Sequence, residues 1–172
     1  MHQKPDYIYC FDSSAFIDLN RYLIGFVPQL RSAIGSLFLS GRLISHEIVY
    51  REITTQSKTP DNLSLWISPK QHYFKNISYQ QAVYVSEIIS KFPTLIHYNK
   101  ENDDADPWLI ATILELKNTR DMFSSLFDYA VVSNESTTIK NRLPFVCKHY
   151  SIKHMDINEF ISDNGWTISL QT

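Results

Sequence analysis

Short, wholly apolar runs alternate along this chain with stretches in which apolar residues recur at helical spacing. Tyr7-Ile8-Tyr9-Cys10-Phe11 reads as a strand buried on both faces and stopped by Asp12. After Asp12-Ser13-Ser14, residues suited to a helix N-cap, Phe16, Leu19, Asn20 and Leu23 take helical spacing. Leu30, Ala33, Ile34, Leu37 and Phe38 predict a helix over 29–39, which Gly41 would end at its C′ position. Leu43-Ile44 is a second strand, and from Ser45, placed as an N-cap, Ile48, Val49 and Ile53 share a helical face. Pro60-Asp61 opens a short helix that Pro69 closes, and 79–92 forms another ending before Pro93.

The clearest helix follows Asp106-Pro107. Ala105, Trp108, Leu109, Thr112, Ile113 and Leu116 keep the i, i+3, i+4, i+7 rule, and Pro107 suits the first helical position. Tyr129-Ala130-Val131-Val132 is a third strand, halted by Ser133-Asn134-Glu135. A short helix over 144–150, a strand at 154–157, a helix over 158–161 and an edge strand over 166–170 complete the expectation. Strands separated by helices indicate an α/β fold, a parallel sheet of four to five strands between two helical layers, in one domain spanning 1–172. In such sheets the site lies at the carboxyl ends of the strands. The strands ending at Asp12 and Ser133 are therefore expected side by side and parallel.

Composition narrows the class. With 172 residues, 44% of them hydrophobic, the chain can bury roughly 70% of its unfolded surface, which excludes disorder and small disulfide scaffolds. Cys10 and Cys147 are the only cysteines, so a zinc cage is excluded and a reducing cytoplasm is the expected compartment. No apolar run approaches the ~18 residues of a membrane span, and none ahead of the first strand has a signal-peptide character. The formal charge of −2 means that attraction to nucleic acid must be local. From Ser136 to Met155 there are Lys140, Arg142, Lys148 and Lys153 and no acid, a local +4 that suits either backbone phosphates or a solvated loop.

Four acids fall where element edges face one sheet end: Asp12, Glu52, Asp106 and Glu135. Converging carboxylates without cysteine or histidine make a hard oxygen site suited to Mg²⁺ or Mn²⁺, the chemistry of metal-assisted phosphodiester hydrolysis. Taken singly each has a plainer reading. Asp12 and Asp106 suit helix caps, Glu52 beside Arg51 suits a surface ion pair, and Glu101, Asp103 and Asp104 suit a solvated turn.

Tyr9-Cys10-Phe11-Asp12-Ser13-Ser14, then Gly41-Arg42-Leu43-Ile44 leading into Glu47-Ile48-Val49-Tyr50-Arg51-Glu52-Ile53, then Ala105-Asp106-Pro107-Trp108-Leu109-Ile110-Ala111, resemble the PIN-domain nucleases. More narrowly, the chain is similar to a bacterial PIN-like subgroup of about this length catalogued as a domain of unknown function. Val131-Val132-Ser133-Asn134-Glu135 and Leu143-Pro144-Phe145-Val146-Cys147 continue the match in order. The resemblance implies a Mg²⁺- or Mn²⁺-dependent endoribonuclease, often the toxin of a toxin–antitoxin pair, with an antitoxin protein as partner. It sets the acid quartet on Asp12, Glu52, Asp106 and the Asn134-Glu135 pair, with Ser14 as the small hydroxyl two residues after the first acid. Many PIN domains have an aspartate where Glu135 stands, so a catalytically weak RNA-binding or interaction module is the alternative.

Other chemistries lack their residues. Position 14 is serine where a haloacid-dehalogenase-type phosphatase needs a second aspartate, and the four glycines are scattered rather than gathered in a phosphate loop. The histidines have no paired ligand spacing, His149 included, and Cys147 reads as a small buried hydrophobe. Asn134, Lys140 and Arg142 are, with Ser14, the candidate substrate contacts. Trp66, Tyr73, Phe74, Tyr79 and Tyr84 are candidates for a partner or homodimer surface, with core packing the expected fate of most.

Overall fold

A computed structural model describes residues 6–24, 28–55, 59–96, 104–119, 126–135 and 142–166. Its strands are β1 (Tyr7–Phe11), β2 (Leu43–His46), β3 (Phe74–Lys75), β4 (Asp128–Val132) and β5 (Lys153–Met155). They form one sheet in the order β3-β2-β1-β4-β5, and every pairing is parallel. The helices are α1 (Ser13–Asp18), α2 (Pro28–Leu39), α3 (Glu47–Thr55), α4 (Asn62–Ile67), α5 (Tyr79–Lys91), α6 (Asp106–Asn118), α7 (Leu143–His149) and α8 (Ile157–Asp163). The result is the expected three-layer α/β/α architecture.

The strand order reverses between β1 and β4. These two are direct parallel neighbours, in register from Tyr7↔Asp128 to Phe11↔Val132. Their carboxyl ends open the crevice in which doubly wound folds bind their ligands. Asp12 continues the pairing by donating its backbone N–H to Val132 O at 2.9 Å.

Side chains alternate across β1, and each face meets its own layer. Tyr9 and Phe11 turn toward Phe160 of α8, each ring 4.9 Å from it edge-to-face, and Phe11 continues through Phe16 to Phe38 of α2. On the other side α6 packs on β1, β2 and β4 and against α5 and α7. Lying between the sheet and α5, α6 is buried over more than the one stripe its spacing predicts, with Ile110 and Ala111 inside as well as Leu109, Thr112 and Ile113.

Several local expectations are met. Gly41 has φ 71°, and Arg42 N donates to Leu37 O at 2.9 Å, a Schellman stop for α2. Asp61 caps α4 through Ser64 N at 2.7 Å. Others need correcting. Ser45 is not an N-cap: it lies within β2 and donates its hydroxyl to Phe11 O at 2.6 Å. His46 takes the capping role, its Nδ1 accepting from Ile48 N at 3.2 Å. After Asp18 the chain passes into a π-helical turn over Leu19–Ile24, and Pro69 sits within a 3₁₀ turn, Ser68–Tyr73, that follows α4. Strand β3 was not expected, because two residues carry no periodicity. Strand β5 ends at Met155, and Ile157 already belongs to α8, which Asp156 and Glu159 close with a capping box. Of the proposed edge strand only Trp166 falls within the described residues, where it packs on Phe160.

Candidate active site

Asp12 is the residue at which β1 stops and α1 begins, and it is 7% exposed. It is indeed an N-cap: Ser14 N donates to Asp12 Oδ2 at 3.1 Å, and Ser14 Oγ donates to the same oxygen at 2.5 Å. Ser14 Oγ in turn accepts from Asn134 N at 3.0 Å, so one hydroxyl ties the ends of β1 and β4 together. Ser14 is thus engaged within the chain, a positioning residue for Asp12, while the Asn134 side chain stands exposed on the rim.

Asp106 is the first residue of α6, behind Ala105 as N-cap, which puts Pro107 at the second helical position rather than the first. The capping alternative for Asp106 therefore fails, since the cap position belongs to its neighbour. Its carboxyl is held well above the usual carboxylate range, first by burial and then by the charges of Asp12, Glu135, Asp104 and Glu52. The other three predicted acids, with Asp104 added, hence all act on Asp106 at the crevice. Asp104 sits partly buried just ahead of α6 rather than in a fully solvated turn; Glu101 and Asp103 lie outside the described residues. Glu52 is partly buried on α3.

Glu135 is differently engaged. Its Oε2 accepts from Leu143 N at 3.0 Å at the start of α7, and its Oε1 lies 3.6 Å from Arg142 Nη1. Arg142, expected to hold substrate, is in this arrangement the counter-charge of Glu135; Lys140 lies outside the described residues. Among the described residues no three His, Cys, Asp or Glu side chains form a ready-made ligand cluster. The acids share one field without closing on a common point.

The sequence placed Ser133 at the strand end but not His154 beside it. Ser133, fully buried, accepts from Glu135 N at 3.3 Å and lies 2.9 Å from His154 Nε2. His154 belongs to no motif, and only the lateral pairing of β4 with β5, Val131↔His154, brings the two together. Burial lowers the pKa of His154 and raises those of the Cys10 and Cys147 thiols, so both cysteines are packing groups, as expected of Cys147. Of the candidate surface aromatics, Phe74 is buried, Trp66, Tyr73 and Tyr84 pack against the core, and Tyr79 is 86% exposed.

Four acids thus bear on the Asp106 carboxyl near the switch point between β1 and β4. A family model matches residues 9–168, from the middle of β1 to beyond α8. The chain belongs to the family described as a domain of unknown function, DUF4411. No curated protein matches it. The family match takes in every acid of the crevice. Among the described residues no helix is long and apolar enough to cross a membrane.

Proposed function

We propose that the chain is a Mg²⁺- or Mn²⁺-dependent endoribonuclease related to the PIN-domain nucleases, acting as the toxin of a toxin–antitoxin pair. The observation that carries this reading is Asp106: a carboxyl raised by burial and by four other acids, at the switch-point crevice of a parallel sheet. Such an arrangement is unfavourable by itself and becomes favourable when a cation neutralises it. The donor set is all oxygen, which fits a hard divalent ion.

Asp12, Asp106 and Glu52 would hold the ion, with Asp104 adding charge. When bound, it supplies an activated water and neutralises charge on the scissile phosphate. Ser14 keeps the Asp12 carboxylate oriented toward the rim, and Asn134, exposed beside it, contacts the substrate. Glu135 contributes charge, while its bonds to Leu143 and Arg142 anchor α7 to the rim. The antitoxin would present a basic segment to the acidic crevice.

That engagement of Glu135 also favours a second reading, a catalytically weak RNA-binding or interaction module. Calorimetric titration of Mn²⁺ into wild type and Asp12→Asn, paired with an RNA cleavage assay, separates the two. Asn retains the cap on α1 and lacks the charge, so metal heat and cleavage that vanish together in the variant support the nuclease. RNA binding without Mn²⁺ heat or cleavage in the wild type leaves the module.

A further inference from the structure

Beside the acid crevice, α7, β5 and α8 enclose a cleft of about 680 Å³ lined by Phe145, Lys148, His149, Lys153, His154 and Glu159. Its volume lies in the range of pockets that accept small organic ligands, roughly 300–1,000 Å³. We propose that this cleft is a nucleotide subsite of the RNA, holding a backbone phosphate on Lys148 and Lys153 and stacking a base on Phe145. The proposal rests on the nuclease reading for the identity of its ligand.

Two features support it, and a third ties the cleft to the crevice. The first is charge. Lys148 is exposed and has no acidic partner among the described residues. Lys153 Nζ reaches Glu159 only at 4.0 Å, and Glu159 spends its other oxygen on Asp156 N at 3.0 Å. The second is aromatic surface. Phe145 is 39% exposed although it is a large apolar ring, and the His149 ring, exposed on the same helix, packs 5.0 Å from Phe92. Lysines interleaved with exposed rings suit single-stranded nucleic acid better than an acidic peptide, which has no flat face to stack.

The third is position. Ser133 is fully buried, accepts from Glu135 N at 3.3 Å and lies 2.9 Å from His154 Nε2 in the cleft wall. Ser133 also links this ring to the backbone of Glu135, and the charge of Asp12 is felt at His154, so the cleft adjoins the crevice.

The test is binding of a fluorescent single-stranded RNA 12-mer, by anisotropy over a salt series with chelator present. Lys148→Ala/Lys153→Ala should flatten the slope of log K against log salt by about 0.7, the share of one phosphate contact on a single strand. Phe145→Ala should weaken binding roughly 5- to 150-fold, and Phe145→Tyr should restore it. Unchanged affinity and slope in the lysine variant, or polyglutamate of equal charge competing as well as RNA, would overturn the proposal. Because no divalent ion is present, the result stands apart from catalysis. If the wild type never cleaves RNA yet the variants lose binding, the cleft stands and the nuclease reading falls. If the lysine variant cleaves with unaltered KM, the nuclease stands and the cleft falls.

Discussion

Replacing Asp106 by Asn separates a site acid from a structural one. Asp106 opens α6 but leaves the cap to Ala105, so Asn forfeits no capping bond. What it removes is a partly buried carboxyl raised by burial, Asp12, Glu135, Asp104 and Glu52. Relieving one such charge conflict falls among single changes that stabilise by about 0.5–2 kcal/mol. For a domain of this size each kcal/mol moves Tm by roughly 2–4 °C, so the metal-free variant should melt about 1–8 °C above wild type at neutral pH. The effect fades in acid. A raised carboxyl binds its proton more readily folded than unfolded, so wild-type stability declines as pH climbs above the ordinary carboxylate range, and the variant's advantage shrinks as pH falls. Excess Mn²⁺ should raise the wild-type Tm and leave the variant unmoved. Mn²⁺-dependent RNA cleavage should drop at least ~10²-fold, the upper end of what losing even an outer-shell group of a metal site costs. Differential scanning fluorimetry with and without Mn²⁺, alongside a gel assay, reads all of this. A variant that melts below wild type and still cuts RNA would refute both the repulsion argument and the catalytic assignment.

Three further predictions concern the frame around the crevice. His46 is buried, its Nδ1 takes Ile48 N and its Nε2 faces Gln81 Oε1 at 3.3 Å, and burial pulls its pKa down to about 4. The unfolded chain therefore binds the extra proton first, and stability is lost as pH falls from about 6.5 to about 4, by at most ~3 kcal/mol. Chemical denaturation of wild type against His46→Asn across that window should show the variant's curve flatter. Ser14→Ala leaves Asp12 with one fewer donor and Asn134 N without its acceptor; a loss of about 1–2 kcal/mol is expected in urea melts, with cleavage reduced more than RNA affinity. Ser151, at φ 53° beyond the end of α7, occupies a conformation that favours glycine, and Ser151→Gly should raise stability by about 0.5–1 kcal/mol in the same melts without changing cleavage.

The layered α/β plan was legible in the chain because both of its signals are local. A strand buried on two faces must be apolar throughout, as Tyr7–Phe11 is, and a helix against a sheet must repeat its apolar residues every three to four positions. The acids at strand and helix ends were legible for the same reason, since an element end is a change of pattern. Tertiary structure decided what those acids do to one another. Asp12 and Asp106 are far apart in sequence, and only the adjacency of β1 and β4, with α6 packed across them, turns separate polar stops into one electrostatic unit. It also decided between rival readings of single residues. Asp12 proved a cap as well as a crevice acid, Asp106 proved no cap at all, and Glu135 and Arg142 proved to be each other's partners. The two-residue β3, the Ser133–His154 contact and the cleft behind it leave no periodic trace, because each arises from the lateral order of strands. Burial and Coulomb interaction depend on distances in space, and sequence spacing reports those distances only within one helix or one strand.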